Sequence, residues 1–196
     1  EKICQKTKSQ KLLILNSPNN PSGTSNDYLK EIARVAKKYH MIVIADEIYA
    51  ELDFSGSYKS LAHYYPEGTI VSSGLSKWCG AGGWRIGTMI FPKKLADIKN
   101  AMRKVASETF TSVSAPIQYA AIKAYTENHH QYLKSSRSIL QFVSEYIYFK
   151  FTAHGINCVK PEGGFYMLCD FSKVHKIKQY KFKNAQDMCT KILSRT

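Results

Sequence analysis

The sequence has no apolar stretch that approaches the length of a membrane span, which excludes a transmembrane helix as its organising element. Its first residues, Glu1-Lys2-Ile3-Cys4-Gln5-Lys6, lack the apolar core of a secretory signal. They also lack an initiator methionine, so the expectation is a processed chain or a fragment. Acidic residues are few, 15 against 28 basic ones, and the formal net charge is +13. That balance could suit a nucleic acid, but the lysines are scattered as Lys37-Lys38, Lys93-Lys94 and the stretch from Lys173 to Lys183. No block of five like charges and no nucleic-acid-binding motif occurs, so solvated faces account for the charge and neither a nucleic acid nor a membrane is expected as partner. The five cysteines, at 4, 79, 158, 169 and 189, include no Cys-x-x-Cys pair. Their odd number and scatter fit free thiols in a reducing, cytoplasmic compartment rather than disulfides or a metal site, and Cys79 reads as an inert buried thiol. Internal repeats and low-complexity segments are also missing.

What is present is a chain of 196 residues, 44% hydrophobic, long enough to bury a real core as one domain or one domain and part of another. Three short apolar runs read as buried strands, and polar residues follow each one directly. Leu12-Leu13-Ile14-Leu15 leads into Asn16-Ser17-Pro18-Asn19-Asn20-Pro21-Ser22-Gly23, Met41-Ile42-Val43-Ile44-Ala45 into Asp46-Glu47-Ile48-Tyr49, and Thr69-Ile70-Val71 into Ser72-Ser73-Gly74-Leu75-Ser76-Lys77. In parallel α/β sheets, ligands bind beyond the carboxyl ends of the strands. Asn20, Asp46 with Tyr49, and Lys77 should therefore project from one rim. A glycine-rich loop follows Lys77, and Arg85 lies eight residues beyond the lysine. A lysine amine condenses with an aldehyde, and an arginine fork holds a phosphate. Together they suit a cofactor that carries both groups, pyridoxal phosphate (PLP).

The periodicity predicts strands over 12–15, 41–45, 69–72 and 86–91, the last stopped by Pro92. Between the first two, Ser25, Asn26 or Asp27 should cap a helix whose Leu29, Ile32, Ala33, Ala36 and Tyr39 share one face. Strand, helix and strand in this order imply a right-handed crossover and a parallel sheet. A short helix is expected over 93–103, then a Ser/Thr-rich loop, a helix opened by Pro116, and a long helix over 130–153 ended at Gly155. The stripe Ile139, Phe142, Val143, Tyr146 and Phe149 on that long helix reads as core rather than a binding surface. Strands near 157–160 and 164–170 and a final helix from Asn184 should follow, whereas residues 1–10 look irregular.

Four segments in order carry a resemblance to a known family. Asn-Asn-Pro-Ser-Gly at 19–23, Ala-Asp-Glu-Ile-Tyr at 45–49, Ser76-Lys77 with Gly83-Trp84-Arg85-Ile86-Gly87, and Pro161-Glu162-Gly163-Gly164-Phe165-Tyr166 resemble motifs of the class I/II aminotransferases, fold-type I PLP-dependent enzymes. The resemblance implies the aspartate aminotransferase-like α/β fold: a partial, mostly parallel sheet with helices on both faces, followed by the start of an α+β small domain. It divides the chain into a partial large PLP-binding domain, 1–140, and a partial small domain, 141–196. It implies transfer of an amino group between an amino acid and a 2-oxo acid, and a homodimer in the full-length parent.

By the same resemblance Lys77 is the Schiff-base and proton-transfer lysine, and Asp46 partners the pyridine nitrogen. Tyr49 and Asn20 hydrogen-bond the ring hydroxyl, and Arg85 clamps the phosphate. A cis Asn20-Pro21 bond is open on the same basis, although base rates for such bonds argue against it. Trp78 and Trp84 read as packing. The chain departs from the family where many members carry a phosphate-binding serine three residues before the lysine; here Gly74 stands, with Ser73 or Ser76 as candidates. The family's upstream phosphate loop and ring-stacking aromatic, and its later carboxylate-binding arginine, have no counterpart, and Arg195 lies too early to be that arginine. The expectation is a central and later portion with both ends missing, inactive by itself. Two alternatives stand beside it: a PLP lyase or synthase of the same fold, and an inactive remnant that only binds or dimerises.

Overall fold

The structure is a computed structural model that describes residues 2, 5, 9, 11–174 and 182–195. The irregular start expected over 1–10, Cys4, and much of the lysine-rich stretch up to Lys183 lie largely outside the described residues.

Four strands form the main sheet in the order β1-β2-β3-β4: β1 (Leu12–Asn16), β2 (Ile42–Asp46), β3 (Thr69–Gly74) and β4 (Gly87–Ile90). The first three are parallel and in register, with Leu13 opposite Val43, and Ile44 opposite Ile70. β4 runs antiparallel to β3, with Gly74 opposite Gly87. The connection explains the reversal. β1 and β2 are joined across α1 (Leu29–Lys38), which carries the chain back to the starting end of the sheet, whereas β3 and β4 are joined by the loop 75–86 at one end. That loop holds both Lys77 and Arg85 and stays at the rim.

Helix α1 starts later than the sequence pattern suggests. Asn26 accepts a bond from the Tyr28 backbone through its side chain, forming a turn ahead of the helix, and Tyr28 occupies the cap position with no side-chain bond. Leu29, Ala33 and Ala36 are buried and join Val43, Ala45, Leu61 and Tyr65 in one core cluster, with Leu13 and Leu15 packed on it. The opposite side of β1 is different: Leu12 and Ile14 are exposed. Helices on both faces were expected, but no described element covers these two residues.

After β4 come α2 (Ala96–Phe110), α3 (Ala115–Thr126) and α4 (His130–Ala153). Helix α2 is longer than expected and follows a short turn at Lys93–Leu95. Pro116 lies in the first turn of α3, where its missing N–H costs nothing, and Gly155, at φ +76°, follows the end of α4. One side of α4 meets the second core cluster through Leu133 and Leu140, beside Tyr49, Leu52, Leu75, Trp78 and Ala121. The stripe read as core is not core here. Ile139 is 64% exposed and Phe142 71%, and Val143, Tyr146 and Phe149 are exposed with them, because no described element packs on that side. The strands expected near 157–160 and 164–170 shrink to a two-stranded antiparallel ribbon, β5 (Asn157–Cys158) and β6 (Cys169–Asp170). The segment between them is taken up by contacts with the sheet rim. Asn184 caps α5 (Ala185–Leu193) by accepting from the Asp187 amide at 2.9 Å.

Candidate active site

The register places Asn16 and Asp46, the last residues of β1 and β2, side by side and sets Asp46 opposite Ser72 of β3. Asn16 organises this edge. Its Nδ2 donates to Asp46 Oδ2 at 3.1 Å and to the Asp46 carbonyl at 3.2 Å, while its Oδ1 accepts from the Asn20 backbone N–H at 2.7 Å. One side chain thus fixes both the carboxylate and the turn that carries Asn20. Both Ser17-Pro18 and Asn20-Pro21 in that turn are cis.

Tyr49 is buried at the centre of the site. Its hydroxyl donates to the Tyr166 hydroxyl at 3.1 Å and is also hydrogen-bonded with the Asn20 side chain. Burial pushes the Tyr49 phenol well above its ordinary range, helped by Tyr166 and by the nearby charge of Asp46, so the hydroxyl stays neutral and able to donate. Phe165 and Tyr166 meet the Tyr49 ring edge to face, at centroid distances of 5.5 and 5.6 Å. Lys77 completes the group. Its Nζ lies 5.6 Å from the Tyr49 ring centre and 5.5 Å from that of Phe165. No carboxylate within ion-pair distance of Lys77 is found among the described residues.

Backbone contacts deliver Phe165 and Tyr166 to this place. The Gly23 carbonyl accepts from the N–H groups of Glu162 and Gly163 at 2.8 and 3.0 Å, and Gly164 N–H donates to the Leu52 carbonyl at 3.1 Å. Glu162 in turn accepts the Ser25 amide at 2.8 Å. Gly23 has φ +73°, and a Cβ there would collide with the Tyr166 carbonyl oxygen, so the close approach needs glycine. Behind this clamp, Glu47 is buried and accepts the Leu61 amide at 3.1 Å. Desolvation raises its carboxyl above the ordinary value, against the hydrogen bonds from Ser60, Leu61 and Tyr58 that lower it.

Arg85 stands apart. It is exposed, in the left-handed backbone region at φ +53°, and its Nη1 donates to the Gly82 carbonyl at 3.0 Å within its own loop. Together with Trp84, Phe110, Val113 and Ile117 it lines an open cavity of about 790 Å³ that none of Asn20, Asp46, Tyr49 or Lys77 lines. Trp84, read as packing, is 40% exposed on that cavity, whereas Trp78 is buried.

A sequence model described as aminotransferase class I and II matches residues 1–195. The chain belongs to the class I and II aminotransferases. It is 37% identical over 174 residues to an aspartate aminotransferase of Bacillus sp. (strain YM-2), a match covering 85% of this chain and 43% of that protein. It is 35% identical over 163 residues to a probable N-acetyl-LL-diaminopimelate aminotransferase of Bacillus subtilis (strain 168), covering 82% of this chain and 40% of the relative. Among solved structures, an aspartate aminotransferase from Thermus thermophilus with maleate superimposes with a TM-score of 0.79 at 31% identity, covering 87% of this chain and 45% of that one. The chain thus spans less than half the length of these relatives.

The fold is therefore the aspartate aminotransferase-like fold of PLP-dependent transferases, and the mixed sheet agrees with it. Aminotransferases of this family generally use PLP, act on amino and oxo acids and are typically dimers. No helix among the described residues is long and apolar enough to cross a membrane. No cluster of potential metal ligands occurs among them either.

Of the residues singled out in the sequence, Lys77, Tyr49 and Asn20 are brought together, with Asp46 beside them on the rim. Asn16, Phe165 and Tyr166 were missed as site residues. Asn16 ends its strand level with Asp46, a polar residue at a strand terminus, and that position was the available signal. Phe165 and Tyr166 had only a motif to mark them, because the contact with Tyr49 spans more than a hundred residues of sequence.

Proposed function

We propose that this chain carries the cofactor-holding part of a PLP-dependent aminotransferase that moves an amino group between an amino acid and a 2-oxo acid. The observation that carries the reading is the Lys77 ammonium lying over the rings of Tyr49 and Phe165, on the same rim as a carboxylate fixed by Asn16. An amine with no carboxylate partner among the described residues, over a tyrosine ring and on the rim that carries a fixed carboxylate, fits the donor set that PLP requires. When bound, PLP supplies an aldehyde that takes up the amino group and a ring that draws electrons from the substrate α-carbon.

The chain's own residues divide the remaining work. Lys77 Nζ is the attachment point for the aldehyde and the base that takes and returns the α-proton. Asp46, held by Asn16, keeps a proton on the ring nitrogen through its negative charge. Tyr49 and Asn20 donate to the ring hydroxyl, and the raised pKa of Tyr49 keeps its proton available for this. Arg85, whose guanidinium bonds the Gly82 carbonyl in this structure, would be the residue to hold the phosphate. Phe165 packs against the Tyr49 ring and offers a second aromatic face to the Lys77 amine.

We further place the division between large and small domains inside α4, with 1–140 on one side and 141–196 on the other. The early part of α4 packs on the rim cluster through Leu133 and Leu140, and Phe151 near its end meets Phe171 at 6.2 Å, which supports this division. A homodimer and a cytoplasmic location are proposed with the family, and the free thiols of Cys79, Cys158, Cys169 and Cys189 are in keeping with the latter.

Borohydride reduction in the presence of PLP, followed by peptide mass mapping, tests the assignment. The pyridoxyl label should lie on the peptide containing Lys77. A label found only on other lysines would overturn it.

A further inference from the structure

Cys158 and Cys169 face one another across the antiparallel ribbon of β5 and β6. Beyond them, Val159 N–H donates to the Leu168 carbonyl at 2.9 Å. Hydrogen-bonded and non-hydrogen-bonded pairs alternate along an antiparallel ladder, so Cys158 and Cys169 occupy a non-hydrogen-bonded pair. Such pairs bring their Cα atoms to about 4.5 Å, within the roughly 4.4–6.8 Å that a disulfide spans. The two Sγ atoms are 3.2 Å apart, and both thiols are free and half-buried. Among the described residues, Cys79 and Cys189 have no such partner.

We propose that Cys158 and Cys169 are a redox-active pair, closed to an intramolecular disulfide by a small-molecule disulfide such as glutathione disulfide. The hydrogen bonds give the two sulfurs different parts. Cys158 donates to Cys169 Sγ, and Cys169 donates to the Met167 carbonyl at 3.8 Å. Burial, and then the contact with Cys158, pushes the Cys169 thiol up to about 12. Cys158 is therefore the attacking sulfur and Cys169 the resolving one. The Cys158 thiolate attacks glutathione disulfide, forms a mixed disulfide and expels one glutathione thiolate. Cys169 then gives up its proton to solvent and attacks the Cys158 sulfur, which breaks the mixed disulfide and expels the second. Two protein thiols are oxidised, and one glutathione disulfide is reduced to two glutathione molecules. The loop so closed contains Gly163, Gly164, Phe165 and Tyr166, the segment clamped against Tyr49.

The test is to equilibrate the full protein in buffers of rising glutathione disulfide content, quench with acid, alkylate the remaining thiols and map the digest by mass spectrometry. The expected product is a pair of peptides joined through Cys158 and Cys169, with Cys79 and Cys189 still alkylated, and dithiothreitol should restore both thiols. In Cys169→Ser, glutathione should accumulate as a mixed disulfide on Cys158. In Cys158→Ser, Cys169 should remain open to alkylation. Glutathione retained on both cysteines without a cross-link, or a cross-link that forms only after denaturation, would overturn the proposal.

Discussion

In α1, Leu29, Ala33 and Ala36 disappear against Val43, Ala45 and Leu61; in α4, the equally periodic Ile139, Phe142, Val143, Tyr146 and Phe149 stay in solvent. Both helices show apolar residues recurring at helical spacing. The difference lies in what each helix meets. Helix α1 is the crossover between two paired strands, so its apolar side is aimed at the sheet by the connection itself. Helix α4 is anchored on its other side by Leu133 and Leu140, and the stripe is left without a described partner. Periodicity identifies the side of a helix that seeks burial, but the topology decides whether anything is there to bury it.

The sharpest division between the two regions should appear in activity. Lys77→Ala, assayed in a full-length enzyme, should lower turnover by at least about 10²–10⁴-fold, the usual cost of losing a general base. Lys77 is half-exposed and anchors no core cluster, so the thermal midpoint should barely move. A variant that unfolds, or one that retains full turnover, would remove Lys77 from the site.

Stability should divide the same way in the 196-residue chain. Leu61 is fully buried between α1 and the sheet, and Leu61→Ala should cost about 2–5 kcal/mol. Ile139→Ala, on the exposed stripe of α4, should stay within about 0.5 kcal/mol of the parent. Denaturant midpoints of the two variants decide the matter. A large loss at Ile139 would show that the stripe is covered in solution.

Two glycines offer a finer version of the contrast. Gly80 has φ +66° and open space around its Cβ position, so Gly80→Ala should cost only the left-handed strain, about 1–2 kcal/mol. Gly23 has a similar φ of +73° and adds the collision with Tyr166, so Gly23→Ala should be the more destabilising of the two. Comparable thermal shifts would mean that the segment carrying Tyr166 yields easily.

The smallest expected effect concerns Glu47 under the rim. Burial raises its pKa in the folded state, so the folded protein binds the proton more tightly than the unfolded chain does. That contribution to stability is complete below the ordinary value of 4.5 and is lost as pH rises through the raised folded value. Chemical denaturation over a pH series should show the parent losing stability across that interval relative to Glu47→Gln. Parallel profiles for the two proteins would mean that Glu47 titrates normally in the fold.

Much of the rim is legible in the amino-acid pattern. The apolar runs before Asn16, Asp46 and Ser72 become strands because β-branched and aliphatic residues suit a pleated, buried surface, and Asn16 and Asp46 mark where β1 and β2 stop, whereas β3 runs on to Gly74 by pairing with β4. Asn184 at a helix start and Gly155 beyond a helix end are legible for the same local reason: each satisfies backbone groups within a few residues of itself. The helix cap near Ser25 is not, because Asn26 has a competing local turn to make.

The sequence by itself determined the strand–helix–strand order, the family motifs and the residue types needed at each strand end. All of these depend on near neighbours in the chain or on the pattern of a single element. Only the tertiary structure decided that Asn16 would fix Asp46 and Asn20 together, that Phe165 and Tyr166 would pack on Tyr49, that Cys158 would face Cys169, and that Arg85 would turn to its own loop. It also decided that the stripe of α4 would stay exposed. The contacts of Asn16 with Asp46 and of Phe165 and Tyr166 with Tyr49 join segments whose separation in sequence carries no local signal, and their energies exist only once the connections have brought the segments within a few ångströms.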